Sequence, residues 1–464
     1  MFAQALANFG DRIALIADDG RQISYRELAA LADASQAAAG ADPVRRQLLA
    51  MQCENQVEAI ATYLGALRAG LPLLLLPTDV ESEALATLLD RFDVARVWDC
   101  DRGWVVRHDR AMALHPDLAV LLPTSGSTGA AKLVRLTAHN LEANAQAICQ
   151  SLNLSESERP ITVLPFHYSY GLSVVNSHLL CGATILLSRA AVTTRAFWSF
   201  LEAERATSLS GVPAIYQMLL RLRFNPARYP SLRTLTQAGG RLDDVSLAQV
   251  RDLADAAQCR FVPMYGQTEA TARISYLPAH FLHTKLGAIG LPVPGGTLSL
   301  KDEHGSEILD AGKVGELHYS GPNVMMGYAD QVDDLALGDV CRGELDTGDL
   351  AYRDADGCYF IAGRKKRMIK LSGVRFGLDE LEAALIAKGY PVALTGEDDR
   401  LCVGLDASVD GAVDETALVN EVARQYHVHP SLIVCARVPA LPRSAAGKIM
   451  YEALKAMFPP RESR

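Results

Sequence analysis

The chain has 464 residues, of which 49% are hydrophobic and 21% charged, an ordinary balance for a globular protein of enzyme size. Its 45 basic and 54 acidic residues give a net charge of −9. That acidic excess argues against duplex nucleic acid as the main partner. The nine cysteines include no C-x-x-C pair, which argues against a zinc knuckle or a redox dithiol. With no leader-like N-terminus and no membrane-length apolar run, we expect a cytoplasmic protein without a membrane span.

The first elements, between residues 20 and 120, alternate helical and strand patterns. Ser24 and Glu27 have the spacing of a capping box and precede apolar residues at helical intervals, which predicts a helix beginning there. Alternating helices and short apolar runs predict βα units around a mostly parallel sheet. The runs predicted as strands are 47–51, 73–76, 94–98, 118–122, 161–164, 184–187, 232–235 and 260–263.

The pattern changes near residue 290, where glycine and proline cluster and short strand patterns follow at 297–300 and 314–319. This change predicts a small β-rich subdomain. A cationic run, Arg364–Arg367, then precedes a stretch that has the pattern of a compact α+β unit. We therefore predict an α/β fold. It has a large N-terminal domain, 1–363, of parallel-sheet subdomains plus the β-rich one, and a small mobile α+β C-terminal domain, 364–464.

A segment rich in hydroxyl groups and glycine follows the run 118–122 and ends in a lysine. Glycines let main-chain N–H groups turn inward, hydroxyl groups add donors, and the lysine supplies positive charge, all of which suit a polyphosphate. The spacing does not fit a Walker A loop, and an ordinary Ser/Gly turn is the alternative. The candidate phosphate-binding residues are Thr124, Ser125, Gly126, Ser127, Thr128, Gly129 and Lys132.

Three further motifs carry candidate chemistry, each with a plain structural alternative. Glu269 ends a Y-G-Q-T-E segment directly after the run 260–263, where a carboxylate could hold Mg²⁺ between phosphates; the alternative is a simple strand end. Asp349 ends a D-T-G-D segment and could accept from ribose hydroxyl groups; the alternative is a type I turn. Lys448 follows a glycine and could reach into a cleft; the alternative is a solvated charge.

In this order the motifs resemble the adenylate-forming superfamily of acyl-CoA synthetases, peptide-synthetase adenylation domains and luciferases. The resemblance covers nearly the whole chain. It implies an AMP-forming acid–thiol ligase that uses ATP and Mg²⁺ to make an acyl-AMP and then transfers the acyl group to coenzyme A or to a carrier-protein phosphopantetheine. The segments that carry it are TSGSTGAAK, LPFHYSYG, YGQTE, GAIGLPVPG, TGD, GRKKRMIKLSGVR and PRSAAGK.

The resemblance also implies a role for each matching residue. Thr268 and Glu269 would lie at the α-phosphate and the metal, with Thr128 as a further metal contact, and Tyr265 would stack on adenine. Asp349 and Arg364 would hold the ribose. The remaining nucleotide-binding residues implied are Gly239, Gly240 and Gly266, and the acid-binding residues implied are His167, Tyr168, Gly171, Val212 and Ala238.

A moving C-terminal domain follows from the same resemblance. Lys448 would bridge the acid carboxylate and the α-phosphate during adenylation. A rotation about a hinge at Lys366 would then withdraw Lys448 and present Lys370 and Gly373 to the thioester-forming site. Removing the cation between the two half-reactions makes physical sense, because it would otherwise hold the acyl-adenylate in place.

Some residues depart from the family pattern or leave alternatives open. Proline and glycine usually flank the loop lysine, but Ala131 and Leu133 do so here. His167 stands where peptide-synthetase domains have an aspartate for the α-ammonium group, which favours an acyl or aryl acid over an α-amino acid; a packed core histidine is the alternative. Arg241 and Arg273 could contact a second polar group of the acid, but we expect them to face solvent.

The identity of the thiol acceptor, and whether the protein is an enzyme at all, also have alternatives. Coenzyme A is the default acceptor, and a stand-alone adenylating enzyme that loads a carrier protein is the close competitor; the run Arg364–Arg367 could dock either. The alternative outside enzymes is a nucleotide-binding scaffold or regulator. The presence of Glu269 and Lys448 argues against it, because a pure binder would not need a cation delivered by a separate domain.

Overall fold

The computed structural model describes residues 1–40, 46–123, 132–371, 374–409, 413–426, 428–443 and 449–459. Several predicted residues lie outside these ranges, and the side chain of Lys366 is outside the description as well. The predictions made for them therefore stay predictions. The residues concerned are Thr124, Ser125, Gly126, Ser127, Thr128, Gly129, Gly373 and Lys448.

The described residues form alternating helices and strands. The α-helices are α1 Phe2–Ala5, α2 Tyr25–Ala39, α3 Val57–Ala69, α4 Ser82–Arg91, α5 Ala138–Leu152, α6 Ser169–Leu180, α7 Arg195–Ala203, α8 Pro213–Arg221, α9 Asp244–Ala256, α10 Leu378–Ala387, α11 Glu415–Tyr426 and α12 Tyr451–Ala456. The strands are β1 Ile13–Ala17, β2 Gln22–Ser24, β3 Leu49–Gln52, β4 Leu73–Leu76, β5 Arg96–Asp99, β6 Gly103–Val106, β7 Leu118–Pro123, β8 Leu133–Thr137, β9 Pro160–Ile161, β10 Ile185–Leu187, β11 Ser208–Gly211, β12 Thr234–Gln237, β13 Arg260–Tyr265, β14 Ser275–Tyr276, β15 Leu291–Pro292, β16 Thr297–Lys301, β17 Gly315–Ser320, β18 Gly327–Ala329, β19 Glu344–Arg353, β20 Tyr359–Arg364, β21 Met368–Leu371, β22 Val374–Gly377, β23 Val392–Glu397, β24 Arg400–Asp406 and β25 Ile433–Val438.

Two compact units are distinguished by their internal contacts. The described residues of 1–123, 132–298 and 319–345 form the first unit, and those of 299–318 and 346–459 form the second. Residues 346–363 thus group with the C-terminal residues by contact. The predicted domain boundary near Gly363 refers to the point about which the C-terminal domain would rotate. It stays a prediction.

The first unit is built on two sheets with parallel centres. One sheet has the strand order β15-β14-β13-β12-β11-β9-β10-β1-β2, and the other has the order β18-β8-β7-β4-β3-β5-β6. Strands β13, β12, β11, β9, β10 and β1 are parallel, as are β7, β4, β3 and β5, while the outer strands are antiparallel. One hydrophobic cluster contains residues of both sheets and of α2, α3 and α6. The predicted α/β class with parallel sheets is confirmed.

The predicted elements of the first unit are largely present. Helix α2 begins directly after Ser24, and both hydrogen bonds of the capping box with Glu27 are formed. The predicted run 73–76 is strand β4. The run 161–164 contributes only Ile161 to strand β9, because the chain turns at Pro165, whose carbonyl accepts from Tyr168 N.

The second unit has an α+β organisation. It contains a four-stranded sheet in the order β16-β17-β19-β20, the antiparallel hairpin β21–β22, and a three-stranded sheet in the order β23-β24-β25. One cluster packs residues of α10 and α11 on the three-stranded sheet, and another packs Leu454 of α12 on it. Within the described residues, no helix has both the length and the apolar character needed to cross a membrane.

Candidate active site

The carboxyl ends of three neighbouring parallel strands bring together predicted binding residues of the first unit. Strands β11 and β12 are paired up to their last residues, and β13 is paired with β12 as far as Pro263. The residues that follow directly are Val212 after β11, Ala238–Gly240 after β12, and Gly266–Glu269 after β13. Ligands of open α/β sheets bind at this edge. The fold therefore places these segments where a ligand site is expected.

Tyr168 joins this group from the residue before α6. A Cβ atom at Gly239 would lie 2.5 Å from Tyr168 Oη and 3.0 Å from Val212 Cγ1. Gly239 also has a φ of +81°, so both the space and the backbone require glycine. Ser169 Oγ lies 3.1 Å from Thr268 Oγ1, which joins the same segment to the Tyr265–Glu269 motif. Burial raises the pKa of Tyr168 to about 12, so its hydroxyl group is neutral at pH 7.

The Tyr265–Glu269 motif forms a tight turn. A Cβ atom at Gly266 would lie 1.6 Å from the carbonyl oxygen of Ala272, so only glycine allows this approach. Thr271 and Ala272 have φ values of +59° and +114°. Positive φ is unfavourable for residues with a Cβ atom, and such strain concentrates at functional sites. Tyr265 is half-buried, and its hydroxyl group accepts from Gln267 Nε2 at 3.1 Å.

Tyr328 connects Glu269 with Lys132, and Asp330 pairs with Lys132; the sequence analysis missed both residues. Tyr328 Oη donates to Glu269 Oε1 at 2.8 Å, and Lys132 Nζ lies 5.7 Å from the centre of the Tyr328 ring. Lys132 Nζ is also 3.2 Å from Asp330 Oδ2. Burial raises the pKa of Tyr328, and the Glu269 carboxylate raises it further. No motif marks Tyr328 or Asp330, because only the antiparallel pairing of β18 with β8 brings them here.

His167 and Gly171, predicted to contact the acid, are held by packing. Burial lowers the pKa of His167, and its buried Nδ1 has no hydrogen-bond partner in the described part of the chain. The side chain is therefore neutral at pH 7 and cannot supply a negative charge. A Cβ atom at Gly171 would lie 2.3 Å from the Pro165 carbonyl oxygen. Their contact with an acid stays a prediction.

Arg273 does not face solvent, so that expectation was wrong. The side chain is 2% exposed, with its guanidinium carbon 4.8 Å from the centre of the Tyr170 ring and Nη1 3.1 Å from Met264 Sδ. The reason is local: the strained turn before Arg273 directs the chain toward α5, where Asn144 Nδ2 donates to the Arg273 carbonyl at 2.9 Å. Arg241 is exposed, as expected, and lies 3.4 Å from Asp244.

The predicted ribose-binding pair is adjacent in the second unit. Asp349 of β19 and Arg364 of β20 are register partners, and Arg364 Nε lies 3.1 Å from Asp349 Oδ1. Asp349 is 4% exposed, whereas Arg364 is exposed. The Asp349 main-chain N–H donates to Thr347 Oγ1 at 3.2 Å. The structure therefore brings together the two residues that the resemblance assigns to the ribose.

The remaining predicted residues lie on the hairpin after the cationic run. Lys365–Arg367 form one 3-10 turn between β20 and β21, so the predicted hinge at Lys366 lies between two strands. Lys370 is exposed on β21, and its main-chain N–H donates to Asp398 Oδ1 at 2.8 Å. These positions leave the Lys370 side chain accessible for the second step that the resemblance implies.

Comparison with known families gives one extended match. Residues 98–329 match the family described as AMP-binding enzyme. Oxalate–CoA ligase of Arabidopsis thaliana is 31% identical over 385 residues, which cover 79% of this chain and 73% of that protein. Feruloyl-CoA synthase of an Amycolatopsis species is 34% identical over 278 residues, 59% of this chain and 55% of that protein. L-Proline–[L-prolyl-carrier protein] ligase of Streptomyces coelicolor is 29% identical over 361 residues, 74% of this chain and 67% of that protein.

Two solved structures resemble the whole fold. o-Succinylbenzoate CoA synthetase (MenE) of Bacillus subtilis, in complex with its acyl-adenylate intermediate, has a TM-score of 0.81 at 22% identity and covers 98% of this chain and 97% of its own. MatB of Rhodopseudomonas palustris, bound to ATP, has a TM-score of 0.80 at 23% identity and covers 98% of this chain and 99% of its own. At these identities the likeness concerns the fold.

Proposed function

This chain belongs to the AMP-binding enzymes, and we propose on that premise that it joins a carboxylic acid other than an α-amino acid to AMP and then to a thiol. ATP is consumed, pyrophosphate is released, and the acyl group passes from acyl-AMP to the sulfur, most simply that of coenzyme A. The observation that carries the proposal is the convergence of Tyr168, Val212, Gly239, Thr268 and Glu269 at one edge of the parallel sheet.

In the first half-reaction an acid oxygen attacks the α-phosphorus of ATP and pyrophosphate leaves. Both reactants are anions, so positioning and charge stabilisation must provide most of the catalysis. Lys132 would exchange its contact with Asp330 for the nucleotide phosphates. Lys448 would neutralise the approaching carboxylate and the α-phosphate, and Tyr265 would stack on adenine.

The donor set around Glu269 fits a magnesium ion. Magnesium prefers one or two carboxylates together with phosphate oxygens, and Glu269 offers a carboxylate at the strand end where the phosphates would lie. The Tyr328 hydroxyl group holds that carboxylate through Oε1 at 2.8 Å. When bound by Glu269 and Thr128, the ion would neutralise charge on the phosphates. Asp349 and Arg364 would orient the ribose.

An acyl or aryl acid is favoured over an α-amino acid by the electrostatics of the acid-binding residues. His167 is neutral because burial lowers its pKa, so it offers no anion to an ammonium group. Tyr168, with its raised pKa, offers a neutral hydroxyl group beside Gly239. Ala238 and Gly171 complete the proposed acid-binding set.

Coenzyme A is the proposed acceptor and a carrier-protein arm the alternative. The named relatives include ligases of both kinds. Comparing thioester formation with free coenzyme A and with phosphopantetheinylated carrier proteins decides between them. Faster turnover with a carrier protein than with coenzyme A at equal concentration would overturn the acceptor part of the proposal.

Pyrophosphate exchange into ATP, without any thiol, tests the central proposal. A panel of fatty, aryl and amino acids should give exchange with one acyl or aryl class. Lys448→Ala should reduce that exchange by about 10³-fold, because the variant loses a charge at the reacting atoms, while ATP still binds. Lys370→Ala is the matched control and should keep exchange but slow thioester formation.

Two results would contradict the proposal. Near wild-type exchange by Lys448→Ala would remove the assigned role of that lysine. Retained ATP binding with no exchange for any acid of the panel would favour the nucleotide-binding regulator over the enzyme.

A further inference from the structure

Arg367, the residue directly after the predicted hinge, is buried in the C-terminal lobe, defined as residues 367–459. It is 7% exposed. Its Nε pairs with Asp379, its Nη2 donates to Glu382 Oε2 at 3.1 Å, and its Nη1 donates to the Leu394 carbonyl at 3.0 Å. Glu382 Oε2 also accepts from Leu394 N at 2.7 Å. Arg367 is therefore fixed to both helix α10 and strand β23.

The same cluster reaches the helix that follows residue 448. Tyr451 is the first residue of α12, and the guanidinium carbon of Arg367 lies 3.4 Å from the centre of its ring. Tyr451 Oη donates to Glu382 Oε1 at 2.7 Å. Arg443 and Ile449, on either side of residues 444–448, form a β-bridge. The cluster thus reaches Tyr451, three residues after Lys448 in the chain, and the residues flanking 444–448 are paired with each other.

Lys365, on the other side of residue 366, is bound to a different set of acids. Its Nζ lies 2.8 Å from Glu316 Oε2 and 3.7 Å from Asp346 Oδ2. Together with His318 these acids could form a metal site by their spacing, but the Lys365 ammonium group already pairs with both carboxylates. The cations before and after residue 366 are therefore held by separate parts of the second unit.

We propose that Arg367, Glu382 and Tyr451 are positioning residues for adenylation. They fasten residue 367 to residue 451 within the C-terminal lobe, so that a rotation at Lys366 would carry the described chain on both sides of residues 444–448 together with the rest of the lobe. This inference rests on the proposed function, because it requires Lys448 to act in adenylation. Misplacement of a reacting group by about 1 Å costs about a hundredfold in rate, so the fastening matters for this half-reaction.

Tyr451 offers graded variants for the test. Tyr451→Phe keeps the ring under Arg367 and removes the hydrogen bond to Glu382, whereas Tyr451→Leu removes both. Tyr390→Phe is the matched control, because Tyr390 Oη donates to Glu421 Oε2 at 2.8 Å in the same lobe but outside the cluster. The three readouts are acid-dependent pyrophosphate exchange, thioester formation from chemically prepared acyl-adenylate, and the thermal midpoint.

The Tyr451 variants should slow adenylation more than thioester formation. We expect Tyr451→Phe to lower kcat for exchange about tenfold and Tyr451→Leu about a hundredfold, with KM for ATP and acid unchanged. Thioester formation should stay within about twofold, because it does not require Lys448 in place. Tyr390→Phe should match wild type in both assays.

The outcomes are distinguishable. Wild-type exchange by Tyr451→Leu overturns the inference, and so does an equal fall of both half-reactions with a lowered thermal midpoint, which would indicate a merely structural cluster. Lys448→Ala is the reference: if it exchanges pyrophosphate like wild type, the proposed function fails and the inference fails with it. Normal dependence on Lys448 with indifference to Tyr451 overturns the inference alone.

Discussion

At the scale of single residues, Gly239 combines a steric requirement with a positive φ in the proposed acid-binding region. Its Cα lies where an added methyl group would be 2.5 Å from Tyr168 Oη, and its φ is +81°. Gly357 has nearly the same φ, +82°, with no atom within 4 Å of the added methyl group. Comparing alanine variants at the two positions therefore distinguishes the effect of backbone strain from the effect of steric displacement.

Gly239→Ala should impair acid binding, whereas Gly357→Ala should not. Both variants should lose about 1 kcal/mol of stability from the positive φ. Only Gly239→Ala must displace Tyr168, and we expect its KM for the acid to rise about tenfold, the effect of a lost hydrogen bond or a displaced pocket wall. Urea unfolding and acid titration of pyrophosphate exchange measure the two effects. Equal KM values in both variants would contradict a role for Tyr168 in acid binding.

Sequence reasoning at this scale predicted the proximity of two residues that lie within one hairpin, while their role in ribose binding stays a prediction. Asp349 and Arg364 were assigned to one function, and β19–β20 pairing places them 3.1 Å apart. It failed for Arg273, because the composition around a charge does not reveal that Tyr170 and Met264 cover it. It also missed Tyr328, whose contact with Glu269 depends on distant strands.

At the scale of elements, helix α2 illustrates a terminus that the sequence predicts directly. Ser24 accepts from Glu27 N through its hydroxyl group, and Glu27 Oε2 accepts from Ser24 N at 2.8 Å. Both bonds use donors that a helix would otherwise leave unsatisfied. Helix α5 has the same arrangement with Thr137 and Asn140. A capping box can be recognised from the sequence because all its atoms lie within four consecutive residues.

Ser24→Ala should lower the free energy of unfolding by about 1 kcal/mol, since the cap is lost. Ser82→Ala is the control, because Ser82 is the exposed first residue of α4 and does not cap it; its effect should stay below about 0.5 kcal/mol. Denaturant unfolding of both variants tests the difference. Equal midpoints would show that Ser24 contributes no more than a surface serine.

Elements without such local signals were predicted less well. Strand β18 has only three residues, Gly327–Ala329, too few for a periodic pattern. Its place beside β8 depends on Arg135, which is fully buried and donates to the Met326 carbonyl at 3.3 Å and the Gly338 carbonyl at 3.2 Å. A buried arginine that binds carbonyl groups cannot be recognised from its neighbours in the chain.

At the scale of the whole molecule, the interior of the first unit includes a titratable group. His178 lies in α6 and is buried, its Nδ1 is 2.8 Å from the Val174 carbonyl oxygen, and its Nε2 has no hydrogen-bond partner among the described residues. Burial lowers the pKa of His178 from 6.5 to about 4. The unfolded chain therefore binds the proton more readily than the native protein does.

This difference makes stability depend on pH. The contribution of His178 is fully present above pH 6.5 and is lost as the pH falls toward 4, amounting to about 3 kcal/mol. His178→Asn keeps a donor at the Nδ1 position and removes the titration. The loss in free energy of unfolding between pH 7 and pH 4.5 should be smaller in that variant by about 2 kcal/mol. Parallel pH profiles for the two proteins would refute the assignment.

The overall architecture was predictable, whereas the grouping of distant segments by contact has only a partial signal in the chain, and the predicted domain boundary near Gly363 stays a prediction. Alternating helices and apolar strands indicated parallel sheets, and the nine- and seven-stranded sheets confirm them. The second unit combines residues 299–318 with residues from 346 onward. The change in pattern near residue 290 precedes the start of the segment 299–318, but composition alone does not show that residues 319–345 return to the first unit.

Strand order also determines when the protein can fold during its synthesis. Strand β1 lies between β2 and β10, with Leu15 paired to Ile185, and the seven-stranded sheet is complete only when Tyr328 pairs with Val134. The ribosome therefore exposes early strands long before their partners exist. Such long-range pairing slows folding and leaves strand edges open to aggregation. Translation speed and the supply of chaperones would then govern how much native protein a cell obtains.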